Sequence, residues 1–521
     1  MTWLVLRKEL LANLLSLRFA LGLGLSGVMM AIAGYVLLQD YAVRHQSYVA
    51  AVQEHEEELR QAKVYSTISV TVDVPPSPLS IFSRGNADLP AAIAVSAYRI
   101  PSQSGASAGG GGIGLGGTSS RPYNPLLRVF SSIDLVFVVS TILSLFALLL
   151  VFDSFSGEQE QGTWPLIMTC SVSRLQVLAG KFLGGLVTVA VPLALGFVEV
   201  LLLWGLSPDV RVDAAVVVGL AGLFVLSLVF LAAFLALGLL VSLYVRQSST
   251  GLISLLLAWV VMAVVIPEGG GALAQYVRPQ ASRQRALDES ARLTTEFYQA
   301  YAAVPYEQKG SHCYDSSDDM SGESLLAASA EEVQNLVEHN KKVYPLKFRL
   351  AEESYHVVEQ YEADLRRWGR LREAMVSPSL CHLYQTLAEA LAGTGVGTHD
   401  LMLRQMGQYR LDLVAFLQPF VGTPAWVTRV LEHPDLLATP ENEARWQRLA
   451  EEQGYSALVK QVFTWDRIEP LDLRSMPRPQ LRVPALATRL AQVWPQAALL
   501  VGLTLLLLAL TAWRARCYPV F

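Results

Sequence analysis

The residues able to do chemistry are few, and their spacing rules most of it out. The eight histidines, His45, His55, His312, His339, His356, His382, His399 and His433, contain no H-x-x-x-H or H-E-x-x-H pair, the helical spacing that brings two imidazoles to one zinc ion. A phosphate-cradling loop needs G-x-x-x-x-G-K-[ST], and Gly180–Lys181 has neither the earlier glycine nor a following hydroxyl. Gly112, Gly114 and Gly117 spell G-x-G-x-x-G inside a glycine tract that follows no strand and opens no helix, so it reads as flexible linker. Asp134 and Glu199 are the acids within apolar runs, and neither has a histidine beside it to make a nucleophile–base pair. Asp134 reads as structural. Glu199, more than a turn inside Trp204, reads either as an intramembrane polar site or as a water-reaching interfacial group. No catalytic residue, metal ligand or cofactor held by this chain is expected.

One stretch does carry an organised set. From Phe152 to Lys181 the chain reads FDSFSGEQEQGTWPLIMTCSVSRLQVLAGK, with Glu158 and Glu160 ahead of Gly162 and Thr163, an apolar stretch opened by Trp164, then Arg174 and Lys181. A loop that only joined two spans could be a few residues long, so this one is expected to dock somewhere. Gly162 permits a sharp turn, and the two acids can favour a helix N-terminus or meet basic residues on a partner.

The elements that position this stretch follow from composition. The 521 residues are 52% hydrophobic and 16% charged, too apolar for an ordinary soluble chain. A net charge of -5 builds no basic field, so nucleic acid is not an expected partner. Runs at 19–38, 133–152, 182–204, 214–244, 251–267 and 495–513 can each cross a hydrocarbon core of about 30 Å. The expected fold class is an all-α polytopic membrane protein: six transmembrane helices, a large and mainly helical extracytoplasmic domain, and a small α/β-like outer segment after the first helix. Basic residues stay on the cytoplasmic side. Arg7, Lys8, Arg18, Arg174, Lys181, Arg246, Arg514 and Arg516 share one face if the spans alternate. Both termini and the segment 153–181 are then cytoplasmic, with 39–132 and 268–494 outside. Residues 1–18, with Trp3, Leu6, Leu10, Leu14 and Leu17 along one side, read as a helix lying in the membrane interface.

The segment 153–181 resembles the matching loop of the ABC-2 type permeases, through the acidic pair Glu158 and Glu160, Gly162–Thr163, Ser173–Arg174 and Gly180–Lys181. It departs from the pattern at Gln159, where many members carry Arg, and at Trp164, where Leu is common. Residues 235–267 look like the fourth and fifth spans of the subgroup with a large insert before the last span. Ser377–Pro378 and 390–395 are similar to that insert. The resemblance implies the permease subunit of an ATP-binding cassette transporter, with 153–181 as a coupling helix seated on separate cytoplasmic ATPase subunits that bind ATP and Mg. It also implies a second permease, identical or related, a bacterial inner (cytoplasmic) membrane, and export or mechanical work on the outer side. The other open reading is a membrane-anchored scaffold whose outer domain organises extracytoplasmic proteins. Membrane lipid is a partner in both.

Outside, 41–63 is expected to continue the first span as a helix and 64–74 to form a strand. Helices are expected near 281–303, 323–342, 346–375, 379–392 and 400–419, in a segment large enough to hold its own core. Cys313 and Cys381 fall there and form a candidate disulfide in an oxidising compartment.

Overall fold

The computed structural model describes residues 2–62, 65, 68–85, 92–96, 134–169, 172–205, 213–276, 280–307, 329–419, 433–462, 469–479, 481 and 483–518. The chain opens with α1, Thr2–Leu14. After a short turn Ser16 caps α2, Leu17–Arg60, by accepting from the Phe19 amide. Helix α3 covers residues 135–151, with a π-helical stretch at Val138–Leu143. The short helices α4, Ser156–Glu160, and α5, Trp164–Thr169, follow. Then come α6, Arg174–Gly205, and α7, Ala214–Tyr244, the latter capped by Asp213. Helix α8, Ser248–Val260, runs through a π-helical stretch into α9, Ile266–Tyr276.

Among the described residues, six helical stretches are long and apolar enough to cross a membrane: Leu17–Arg60, Leu135–Glu160, Arg174–Gly205, Ala214–Tyr244, Ser248–Ala274 and Trp494–Arg516. The chain is therefore an all-α, multi-pass membrane protein. Leu21, Leu25, Val28 and Ile32 of α2 and Ile253 and Leu257 of α8 stay exposed, as lipid-facing side chains must. Phe146, Val189, Leu193, Phe230 and Phe234 fill the space between the helices.

Spans alone do not fill the outer half of the bundle. After the outer helices α10, Gln280–Ala302, and α11, Ala330–Val376, the chain turns back into the bundle as α12, Leu380–Ala392. This helix was expected in the outer domain. Instead it packs among α7, the π-helical stretch after α8, and the last span. Its sequence explains the location: Leu380, Cys381, Leu383, Tyr384, Leu387, Ala388 and Leu391 are all buried, so its apolar surface extends well beyond one stripe. The Tyr384 ring stacks on Phe230 at 4.5 Å, and its hydroxyl lies 2.8 Å from Ser227 Oγ. Ser379 donates to the Met262 carbonyl and the Cys381 thiol to that of Ser140 at 3.6 Å. The 3-10 turn Pro78–Ile81 enters from the other outer segment, burying Leu79, Ile81 and the adjoining Phe82. The two pieces are joined where Ser77 donates to Ala392 O at 2.6 Å and Thr394 to Ser83 O at 3.0 Å.

Beyond the bundle, β1, Ser69–Asp73, pairs antiparallel with β2, Ala92–Ser96, in the register Ser69↔Ser96 to Asp73↔Ala92. Helix α11 is one 47-residue helix through Pro345, where two helices were expected. Proline removes one donor and strains one turn, and packing along α10, with Leu293, Phe297 and Leu350 at the centre, carries the helix past it. Helix α13, Val396–Leu417, packs its Met406, Tyr409, Leu413 and Leu417 with the β1 residues Val70 and Val72. Helices α14, Pro440–Gln453, and α15, Tyr455–Val462, were not expected, although Thr439 before Pro440 is a helix-start signal. Helix α16, Leu486–Gln492, leads into α17, Trp494–Arg516.

Tyr384→Ala should cost about 3–5 kcal/mol, because it empties a fully buried aromatic site. Tyr384→Phe should cost about 1 kcal/mol, the worth of one hydrogen bond. Unfolding in detergent measures both. Burial pushes the Glu389 carboxyl up to about 7, with the nearby Asp134 charge acting the same way. A folded-state value above the ordinary 4.5 means its contribution is intact below that value and is lost as pH rises through about 7. Glu389→Gln should flatten the fall in stability between those limits.

Candidate functional site

Where α1, α4 and α6 meet at one end of the bundle, Lys181 sits at 3% side-chain exposure between two carboxylates. Its Nζ donates to Glu158 Oε1 at 2.8 Å and to Glu9 Oε1 at 3.1 Å. Lys8, on the rim, stands 3.8 Å from Glu158 and 3.9 Å from Glu9, so two cations face two anions. The Nζ also lies 5.5 Å from the centre of the Phe155 ring. These residues belong to α1, to α4 and to α6, three elements that the ion network binds together.

Close helix approach makes the network reachable. A Cβ at Gly180 would stand 2.6 Å from Val5 Cγ1, and one at Gly184 would stand 3.0 Å from Glu9 Cβ. Glycines four apart leave a groove on α6 into which α1 settles. The face of α1 expected to meet lipid is consequently rotated: Leu6, Leu10 and Leu14 are half-buried, while Trp3, Leu4, Leu11 and Leu15 are exposed.

The segment after α3 is anchored at each step. Ser242 Oγ of α7 accepts from the amides of Phe155 at 2.9 Å and Ser156 at 3.2 Å. Glu160 accepts from the Ser248 amide at 2.9 Å and its hydroxyl at 2.7 Å, and so caps the start of α8. Phe155, Trp164 and Tyr518 meet edge-on, with Trp164 2% exposed. Tyr518 donates to Gln159 Oε1 at 2.8 Å, and Arg174 donates to the Arg516 carbonyl at 2.6 Å. Arg18 pairs with Asp153 at 2.9 Å.

Of the two roles open to the acids, Glu160 takes the first at the N-terminus of α8, while Glu158 meets basic residues of this chain itself, Lys181 and Lys8. Trp164 likewise faces inward. Among the described residues, what the segment presents outward is Glu160, Gln161, Gly162, Leu166 and Thr169, with Leu166 68% exposed. Gly162 turns the chain at φ +68°, a conformation that glycine adopts without strain, and nothing crowds it. Thr163 donates its hydroxyl back to Glu158 O at 3.2 Å and so ties the turn to α4.

Sequence reasoning missed Glu9, Ser242, Ser248 and Tyr518. Of these only Glu9 left a signal, as an acid within the apolar register of α1. Glu199 lies on α6 facing α2, 3.7 Å from a Cβ built at Gly27, and its Oε2 is shielded with no hydrogen-bond partner among the described residues. Cys381 carries a free, buried thiol, and Cys313 lies outside the described residues. Among the described residues no group of three or more His, Cys, Asp or Glu could hold a metal ion. The arrangement can present a rigid knob on an ion-paired base; it holds no nucleophile–base pair.

Residues 3–332 match the family described as ABC-2 family transporter protein. Over 92 residues the chain is 37% identical to the probable ABC transporter permease protein NosY of Pseudomonas aeruginosa, covering 18% of this chain and 33% of that protein. Over 64 residues it is 38% identical to the protein of the same name in Stutzerimonas stutzeri, covering 12% and 23%. The chain thus spans about a third or less of the length of the curated relatives it matches.

Lys181→Met should destabilise the protein by about 3–5 kcal/mol, because it strips the partner from two half-buried carboxylates. Combining it with Glu9→Gln and Glu158→Gln should recover most of that loss, since the one charge left without its partners, Lys8, is exposed to solvent. Thermal unfolding in lipid nanodiscs compares the two variants.

Proposed function

As this chain belongs to the ABC-2 family of transporter proteins, we propose that it is the permease subunit of an ATP-binding cassette transporter. It has no ATPase activity of its own; separate cytoplasmic subunits that bind ATP and Mg drive it through residues 154–174. It pairs with a second permease in a bacterial inner membrane, both termini facing the cytoplasm.

The observation that carries this reading is the exposed knob of Gln161, Gly162, Leu166 and Thr169, standing on a base fixed to α1, α6, α7 and α8. A force applied at the knob reaches four helices at once, because each link is a short polar contact or a close helix packing. A membrane-anchored scaffold would have no use for such a base on its inner face.

A second observation favours mechanical work on the outer side as the output. Helix α2 runs for 44 residues without a break, and its outer end holds β1 through His55 Nδ1 and Asp73 Oδ2 at 2.8 Å. Just beyond it, Ala62 O accepts from the Leu471 amide at 2.8 Å. Displacement at the inner face therefore has a continuous helical route to the outer domain.

Leu166→Glu should weaken co-purification of the ATPase subunit by about tenfold or more, the loss typical of an apolar anchor in a partner groove. Thermal stability should stay unchanged, because Leu166 touches little within the chain. Full ATPase binding and coupled turnover in this variant would rule out the knob as the contact.

A further inference from the structure

The place where the outer domain descends to the membrane is built like a lipid-contact surface. Helix α8 starts at Ser248 on the inner face and continues into α9. At 1.5 Å per residue, Gly271 to Tyr276 stand about 35 to about 42 Å along that axis. The hydrocarbon core of about 30 Å has then been crossed, and this level is the headgroup zone.

Helix α11 comes down beside it to the same level. Trp368 Nε1 donates to Ala274 O at 2.7 Å, the Arg372 guanidinium lies 3.9 Å from a Cβ built at Gly271, and Val376 Cγ1 lies 2.7 Å from one built at Gly270. Below this point the chain enters the bundle, where Ser379 bonds to Met262 O.

At that level Arg370, Leu371 and Arg372 on α11 and Leu273 and Tyr276 on α9 are exposed, Tyr276 at 91%. The neighbouring acids are largely engaged: Glu373 with His382 at 3.0 Å, and Asp364 with Ser282 and, at 3.9 Å, with Arg367. Glu268 is exposed one to two turns lower on α9. Tyrosine is enriched at the headgroup level of both bilayer faces, and an exposed guanidinium at that level can pair bidentately with a lipid phosphate.

We propose that this corner of α9 and α11 binds anionic lipid headgroups of the outer leaflet. Arg370 and Arg372 hold phosphate, while Leu371, Leu273 and Tyr276 sit among the headgroups and fix the height of the outer domain above the membrane. The proposal requires the membrane crossing and is independent of any ATPase partner, so loss of ATPase binding leaves it standing.

The test uses full-length protein in nanodiscs of phosphatidylcholine with and without phosphatidylglycerol. Native mass spectrometry reads the retained phosphatidylglycerol, and a nitroxide at Leu371→Cys, with Cys170, Cys313 and Cys517 changed to Ser, reads depth. Arg370→Gln with Arg372→Gln should retain about tenfold less phosphatidylglycerol than the parent, the scale set by two arginines at a membrane surface. Arg7→Gln on the inner face should leave the outer-corner share in place, and the nitroxide should report headgroup depth. Equal retention by the double variant and the parent would overturn the proposal. So would a nitroxide as accessible to a water-soluble relaxant as one in bulk solvent, or phosphatidylglycerol retention replaced in full by inorganic phosphate.

Discussion

Inside hydrocarbon no water is available for backbone N–H and C=O groups, so every one must find its partner within the protein. That constraint makes six of the segments helices, and it also shapes their ends. Ser242 takes the amides that leave α3, Glu160 takes the first amide of α8, and Asp213 caps α7. At the outer side, α12 and the Pro78–Ile81 turn enter the bundle only because Ser77, Thr394 and Ser379 supply donors to carbonyls that would otherwise be stranded. Hydroxyl groups at chain reversals are therefore structural parts of this membrane fold, and the two outer segments are held to each other by them.

The same scarcity of water sets the character of the end of the bundle that carries α4. A lysine at 3% exposure is tolerable because two carboxylates and a second lysine bring the local charge to zero. Such a network adds little net stability over a well-packed apolar replacement. Its effect is geometric: α1, α4 and α6 must keep their mutual positions or leave a charge unpaired. The exposed turn around Gly162 rides on that frame, with the aromatic cluster of Phe155, Trp164 and Tyr518 behind it.

Motion is constrained in a corresponding way. Helix α1 is seated in the Gly180–Gly184 groove and joined to α2 by a two-residue turn capped by Ser16. Helix α2 then reaches the outer domain without interruption, while α12 closes the interior of the bundle on that side. The packed helices thus join the turn around Gly162 to the β1 end of α2 within one connected frame. Helix α11 packs against α9 where the chain leaves the bundle, Trp368 Nε1 donating to Ala274 O at 2.7 Å.

Much of this was legible in the residues. Apolar runs of about 20 residues determine spans because the cost of exposed backbone in lipid leaves no other choice. The spacing from Glu158 to Lys181 marked a segment with contacts of its own, and Gly162 marked its turn. Partner assignments were not legible. Glu158 reads as a surface acid until Lys181 and Glu9 are brought beside it, and Trp164 reads as an exposed anchor until Tyr518 covers it. Residues 379–392 read as one more outer helix, yet they pack among α7, the π-helical stretch after α8 and the last span, which bury their apolar side chains. Periodicity is a property of neighbours along the chain, and the sequence alone can therefore fix which segments must be helical. Burial and ion pairing are properties of neighbours in space, 23 residues apart for Glu158 and Lys181 and 172 for Glu9 and Lys181, and only the packed structure brings them together.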